Sequence, residues 1–222
     1  PINIFYVGMN NTYEPFNNEK VRQALAMGID RQRIVDQFYS EASAVADYFT
    51  PCSFDYACGG EPWYEFDPEA AQALMAEGLA ELGLEEFPET QIHLRVVDRS
   101  YLPFPQQVAV DIQDQLSENL GITATIDEQE SGTFIDNSDA GNLPGLHLLG
   151  WNADYPDPTN FLDYHFGPGA SDQFGEGHPD IWDGLVRGAT STDDAVRQAA
   201  YTDANNAIKA NIPMVPVARG GS

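Results

Sequence analysis

The middle of the chain holds a strand–helix–strand pattern that restricts the fold more than any other feature. Residues 91–97, QIHLRVV, alternate apolar and polar side chains, as a half-buried strand does. Residues 105–121 place apolar side chains at every fourth position and end in glycine, which is typical of an amphipathic helix. Residues 122–127, ITATID, alternate again. Two strands joined by one helix and short connections run parallel, so the sequence predicts an α/β fold with a βαβ unit.

Further strands and helices are predicted on both sides of this unit. Residues 2–8 are apolar on both faces, as in a central strand. Asn18 and Asp67 are each followed by a helical pattern and are predicted to cap it, with Pro68 in the first turn of the helix after Asp67. A short helix is also predicted to start at Asp30. Residues 40–66 have no clear period and are predicted to form a long loop that faces the ligand.

The last third of the chain is predicted to be mostly helical. A short helix at 130–140 precedes a strand, LHLLGW, and helices follow from Pro179 and over 193–211. The final strand, MVPV, contains Pro216, and proline favours the edge of a sheet. We find no internal repeat, and we therefore predict a single α/β lobe over residues 1–222.

The charge of the chain excludes some classes of partner. It carries 35 acidic and 10 basic residues, a net charge of −25. Nucleic acids and anionic membrane surfaces bind proteins that present positive charge, so we expect neither as a partner. No apolar run approaches the roughly 20 residues that span a bilayer.

The two cysteines lie close together in a loop rich in proline and glycine. Cys52 and Cys58 are six residues apart, within reach of a disulfide, and the alternative is a pair of reduced thiols. Two sulfurs without a neighbouring histidine make a poor zinc site. We favour a disulfide, which predicts an extracytoplasmic location.

The segment WNADYPDPTNF, residues 151–161, contains the candidate functional residues. Asp154 and Asp157 are a possible acid/base pair of a hydrolase, but Asp-Pro is also ordinary turn chemistry and no nucleophile or phosphate-loop motif accompanies it. The histidines lack the spacing of a metal site, and the segment has too few oxygen ligands for calcium. We therefore predict neither catalytic nor metal-binding residues.

Ligand binding explains the same segment better, because it directly follows a strand. Ligands of open α/β sheets bind near the carboxyl ends of strands. Gly150 permits close approach of another backbone, and Asp154 can face a ligand ammonium between the rings of Trp151, Tyr155 and Phe161. The alternative is that these rings belong to the core and that Asp154 caps a turn.

Three stretches, in this order and spacing, resemble one protein family. They are NNEKVRQALAMGIDRQRIVDQFY at 17–39, DPEAAQALMAEGLAELG at 67–83 and LGWNADYPDPTNFL at 149–162. Together they resemble the C-terminal lobe of family 5 extracellular solute-binding proteins, the oligopeptide-, dipeptide- and nickel-type receptors of ABC importers. The similarity extends from residue 2 to about 218.

The resemblance implies a fold like one lobe of a periplasmic binding protein, with a mixed sheet flanked by helices. It implies a monomeric receptor, in the periplasm or anchored as a cell-surface lipoprotein, that closes two lobes around a small peptide or other solute and delivers it to a membrane permease without a cofactor. Asp154 would pair with the α-ammonium of the peptide, and backbone groups of Gly150 and Asn152 would pair with its main chain. Trp151 and Tyr155 would shape the pocket, while Asp157 would fix the turn.

The chain also departs from this family. Family members are more than twice as long, and nothing here resembles their N-terminal lobe. The abrupt start at PINIF and the end at ARGGS are what we expect of an excised lobe. A secreted hydrolase that uses Asp154 and Asp157 is the alternative function.

Overall fold

The computed structural model describes residues 2–175 and 177–220, and its centre is one mixed sheet. Within these ranges the sheet has six strands in the order β2-β6-β1-β5-β3-β4. The strands are β1 (Asn3–Met9), β2 (Ala44–Val45), β3 (Thr90–Arg95), β4 (Ala124–Gln129), β5 (Leu146–Asn152) and β6 (Met214–Arg219).

Helices cover the sheet, and neighbouring helices pack in pairs. The helices are α1 (Glu19–Gly28), α2 (Arg31–Phe38), α3 (Pro68–Glu81), α4 (Pro105–Leu120), α5 (Ser131–Asp139), α6 (Thr159–Phe166), α7 (Pro179–Thr190) and α8 (Asp194–Asn211), with a single 3₁₀ turn at Asp172–Phe174. Helix α1 packs on α3, and α7 packs on α8. Every residue of β1 is buried, as its apolar sequence predicts for a central strand.

The predicted βαβ unit is confirmed. Strands β3 and β4 pair in parallel from Thr90 and Ala124 to Arg95 and Gln129. Helix α4 joins them and ends at Gly121, whose φ of +66° is the left-handed conformation that terminates helices. Strand β3 ends at Arg95, two residues before the end of the alternating pattern at residues 91–97.

The predicted helix caps are also confirmed. The side chain of Asn18 accepts hydrogen bonds from the backbone N–H groups of Lys20 and Val21. Asp67 caps α3 in the same way, and Asp30, where the second helix is predicted to start, caps α2. These carboxylate and amide oxygens satisfy N–H groups that have no partner inside the helix, which is why the sequence signal was reliable.

The prediction that the last strand lies at a sheet edge is wrong. Strand β6 lies between β1 and the short strand β2, which pairs with Ala218 and Arg219. The ladder with β1 shifts register between Phe5 and Tyr6, and Tyr6 stands opposite Pro216. A proline has no N–H to donate, and a local irregularity in the ladder accommodates it inside the sheet.

Residues 40–66 form the long loop that the sequence predicts, apart from the two residues of β2. The predicted disulfide joins Cys52 and Cys58, with 4.5 Å between their Cα atoms. Asn205 on α8 fastens the loop, since its Nδ2 donates to the carbonyl of Ala57 at 2.9 Å. Asn205 therefore holds the disulfide end of the loop against α8.

Strand β5 is paired along its whole length on one side only. It pairs with β1 from Leu146 to Asn152 but with β3 only at Leu146 and His147. Ala153 donates its N–H to the carbonyl of Ile2 in the neighbouring chain segment. In an antiparallel pair, successive residues point their N–H and C=O groups alternately toward the partner strand and away from it. The N–H and C=O groups of Gly150 and Asn152 therefore point away from β1, toward the gap between β5 and β3.

Replacement of Gly150 by alanine should destabilise the fold. A Cβ atom at this position would overlap the carbonyl oxygen of Ile4 and the ring of Tyr101, both of which are buried. Because backbone must move to relieve the overlap, we expect the free energy of unfolding to fall by about 1–3 kcal/mol in urea titrations.

Gly132→Ala is the matched control, since its Cβ would meet only the carboxylate end of Glu130, at 3.2 Å. We expect a change within about 0.5 kcal/mol for this surface substitution. Equal stability of both variants would contradict the close packing at Gly150.

Candidate ligand-binding site

The gap between the carboxyl ends of β3 and β5 is an open cleft of about 340 Å³. Its wall on the β5 side is the strand itself and the turn that follows. The residues that line it are Arg95, Tyr101, Ile135, Leu149, Gly150, Trp151, Asn152, Asp154 and Tyr164. The cleft therefore combines one carboxylate, one guanidinium, aromatic rings and the free backbone groups of β5.

Asn160 fixes the turn that carries Asp154. Its Oδ1 accepts hydrogen bonds from Nε1 of Trp151 at 2.8 Å and from the backbone N–H of Asp154 at 3.3 Å. Asn160 is buried on the first turn of α6, so its two hydrogen bonds tie Trp151 and Asp154 to this helix. The carboxylate of Asp154 is exposed and has no hydrogen bond or ion pair with any described residue. It is therefore available to a ligand.

Asp157 has the opposite role, because both of its carboxylate oxygens are occupied. Oδ1 accepts from the N–H and the hydroxyl of Thr159, at 3.0 and 2.8 Å, at the start of α6. Oδ2 accepts from Nη2 of Arg197 at 2.6 Å. Such contacts stabilise a turn and a helix end. They leave Asp157 poorly suited to be the partner of Asp154 in acid/base catalysis.

Two stacked rings form an aromatic platform in the cleft. Trp151 and Tyr164 lie 4.4 Å apart, between ring centroids, with an interplanar angle of 20°. The buried ring of His165 contacts both of them edge-on, at 5.3 and 4.8 Å. The hydroxyl of Tyr164 donates to Asp139 at 2.6 Å and so anchors the platform to α5.

The histidines beneath the site are structural. Burial lowers the pKa of His165 to about 3 and that of His147 to about 4, so both are neutral at pH 7. Nδ1 of His165 donates to the carbonyl of Phe161 at 2.6 Å, and Nε2 of His147 lies 3.1 Å from Gln173. Within the described residues, no cluster of three or more His, Cys, Asp or Glu could hold a metal ion.

Arg95, the last residue of β3, lines the cleft, and the sequence pattern identified neither it nor the neighbouring Arg99. Arg95 donates to the hydroxyls of Tyr101 at 2.6 Å and Ser131 at 3.2 Å, and Arg99 donates to Ser131 at 3.3 Å. Neither forms an ion pair with a carboxylate of the described chain, and Nε of Arg99 is buried without a partner. The sequence shows only that these are two of ten basic residues in an acidic chain, and their neutral partners are visible only in the structure.

The structure brings most of the predicted site residues together. Gly150, Trp151, Asn152 and Asp154 all line the cleft. Tyr155 lies on the exposed outer side of the turn, where its hydroxyl is 3.2 Å from that of Thr159, and it does not line this cleft. Phe161 is fully buried, against Phe49 and Phe54, so the alternative that it belongs to the core is the correct one.

No helix in the described part of the chain has both the length and the apolar character needed to cross a bilayer.

Comparison with known proteins identifies the family of the chain. The family model for bacterial extracellular solute-binding proteins, family 5, middle part, matches residues 1–173. Di/tripeptide-binding protein 1 of Pseudomonas aeruginosa is 31% identical over 97% of this chain. The chain spans about 40% of the length of that relative.

Two solved structures share the fold closely. A dipeptide-binding protein from Pseudoalteromonas sp. SM9913, in complex with Met-Leu, superposes with a TM-score of 0.86 at 30% identity and covers 98% of this chain. HbpA2 from Haemophilus parasuis gives a TM-score of 0.88 at 29% identity over 99% of this chain. In each case the chain covers 43% of the solved structure. The chain belongs to the bacterial extracellular solute-binding proteins of family 5.

Proposed function

We propose that this chain is one lobe of an extracytoplasmic receptor that binds short peptides and presents them to the permease of an ABC importer. The observation that carries the proposal is the charge arrangement of the cleft. Asp154 offers a free carboxylate and Arg95 offers a guanidinium without a carboxylate partner, and both line the same cavity. A short peptide has one ammonium and one carboxylate, which match these two groups.

The ammonium end of the peptide would bind at Asp154. The backbone of Asp154 is held by its hydrogen bond to Asn160, and no described residue pairs with the carboxylate. A charge-assisted hydrogen bond to a ligand ammonium is stronger than a neutral one, particularly once a closing lobe excludes water.

The main chain of the peptide would pair with β5. The backbone groups of Gly150 and Asn152 point into the cleft. An extended peptide that adds to an exposed strand gains hydrogen bonds that do not depend on its side chains. The Trp151 and Tyr164 rings would contact those side chains through apolar surface.

The carboxylate end would bind at Arg95, which lines the cleft. Arg95 and Arg99 both donate to Ser131, the first residue of α5, and this neutral partner leaves their charge uncompensated. Guanidinium groups suit carboxylates because they donate two parallel hydrogen bonds. This arrangement favours short ligands, whose two ends fit into one cleft.

Several further features support the receptor proposal. The disulfide is compatible with an oxidising extracytoplasmic compartment. The chain matches relatives over less than half of their length, so the other wall of the site would come from a second lobe that closes on the ligand. One relative is named a di/tripeptide-binding protein, and one similar solved structure is a dipeptide-binding protein in complex with Met-Leu. The receptor would act as a monomer.

A hydrolase that uses Asp154 and Asp157 has less support. Arg197 and Thr159 occupy the oxygens of Asp157, and the family is described as solute-binding. Turnover of peptide or glycoside by the pure protein, lost in each single Asp variant, would favour the hydrolase over the receptor.

Asp154→Ala in the full-length protein should weaken the binding of dipeptides by about 2–5 kcal/mol, because it leaves the ligand ammonium buried without a partner. Calorimetry with a panel of dipeptides measures this change. Asp114→Ala, at an exposed carboxylate on α4, is the matched control and should bind like wild type. Unchanged affinity in Asp154→Ala would remove this residue from the site.

Arg95→Met should weaken the binding of dipeptides that have a free carboxylate by about 1.5–3 kcal/mol, the range for a hydrogen bond to a charged group. Peptide amides lack that charge, so the wild type and the variant should bind them with similar affinity. Titration of both proteins with acid and amide forms of one dipeptide gives the comparison. An equal loss for both forms would assign Arg95 a purely structural role.

A further inference from the structure

One arginine connects the disulfide loop, residues 52–58, with the ligand turn, residues 153–158. Arg197 lies on α8, and its Nη2 donates to Oδ2 of Asp157 at 2.6 Å. Its guanidinium carbon is 5.0 Å from the centre of the Tyr56 ring and 5.4 Å from that of Tyr201. The side chain is only 16% exposed. Arg197 is therefore held between a ring of the loop and a ring of its own helix.

The contacts of Arg197 fix the direction in which it donates. Nη1 donates to the carbonyl oxygens of Gly188 at 3.2 Å and Ser191 at 3.4 Å, between α7 and α8. A planar guanidinium held by stacking and by carbonyls presents its remaining N–H groups in one orientation. Asp157 is thus tied to the framework of two packed helices.

The same ion pair supports the placement of Asp154. Asp157 organises the first turn of α6 through Thr159, and Asn160 in that turn holds the backbone of Asp154 and the indole of Trp151. A displaced Asp157 would loosen the start of α6. The exposed carboxylate of Asp154 has no hydrogen bond or ion pair of its own with a described residue, so its position depends on the backbone that Asn160 holds.

The disulfide loop covers Arg197 from the other side. Tyr56 adopts a φ of +65°, and its hydroxyl donates to Asp194 on α8 at 2.7 Å. The Cys52–Cys58 bond closes the loop around Tyr56, and a cross-link reduces the conformations that a loop can adopt. The loop therefore keeps the Tyr56 ring over the guanidinium.

We propose that Arg197 is a positioning residue for the ligand turn, and that the disulfide loop holds it in place through Tyr56. This inference rests on the proposed function, because it requires Asp154 to be the partner of the ligand ammonium. Arg197 and the loop act through Asp157 and do not touch the ligand.

The test compares the Kd of Met-Leu with that of N-acetyl-Met-Leu in the full-length protein. Acetylation removes the ammonium. The Kd of N-acetyl-Met-Leu divided by the Kd of Met-Leu is therefore a ratio that reports how strongly the protein recognises the ammonium. We expect Asp154→Asn to abolish the preference for the free dipeptide, and Arg197→Met to reduce it about tenfold, because the Asp154 carboxylate is still present but less well placed.

Further variants separate positioning from general destabilisation. Arg197→Lys keeps the charge but not the planar fork, and it should show an intermediate ratio. Tyr56→Ala and the double variant C52S/C58S should lower the ratio in the same direction. Arg187→Met, which removes exposed ion pairs with Asp183 and Asp203 on the same helix pair, is the matched control and should keep the wild-type ratio.

Two outcomes are decisive in opposite ways. A wild-type ratio in Arg197→Met, together with a collapsed ratio in Asp154→Asn, overturns the positioning role and leaves the proposed function intact. A wild type that does not distinguish the two ligands refutes the proposed function and, with it, this inference. If Arg197→Met does not fold, Arg197→Lys decides, and a ratio like that of wild type overturns the proposal.

Discussion

The unequal pairing of β5 is the constraint from which the candidate site follows. On one side β5 is bonded to β1 along its whole length, so its position in the core is fixed. On the other side β3 leaves it after two residue pairs, and the backbone groups of Gly150 and Asn152 face the cleft. Unpaired backbone groups inside a sheet must find another partner, either water or a ligand. The cleft is therefore a consequence of the sheet topology, and the side chains around it add selectivity.

Positive charge is scarce in this chain, and its distribution separates structure from recognition. Some cations pair with carboxylates, namely Lys20, Arg33, Arg187, Arg197 and Lys209. Others are buried and donate to backbone carbonyls, namely Arg22, Arg31 and Arg219, and burial lowers their pKa. Arg95 and Arg99 do neither. A guanidinium that contacts only neutral hydroxyls beside a cavity attracts an anionic ligand group over a surface that otherwise repels anions.

The sequence predicted local structure better than it predicted contacts between distant segments. The caps at Asn18 and Asp67, the helix end at Gly121 and the parallel βαβ unit depend on interactions within a few residues, and each is confirmed. The predicted edge position of β6 was wrong because the strand that covers it, β2, has only two residues and leaves no periodic pattern in the sequence.

The candidate site divides in the same way. Gly150, Trp151, Asn152 and Asp154 are neighbours in the chain, so one motif identifies them together. Their supports come from elsewhere: Tyr164 from α6, Arg95 from β3 and Arg197 from α8. Periodicity cannot reveal such residues, because their roles depend on how α6 and α8 pack beside the sheet. The motif therefore specifies which groups can meet a ligand, while the surrounding fold determines whether those groups are held in the geometry that binding requires.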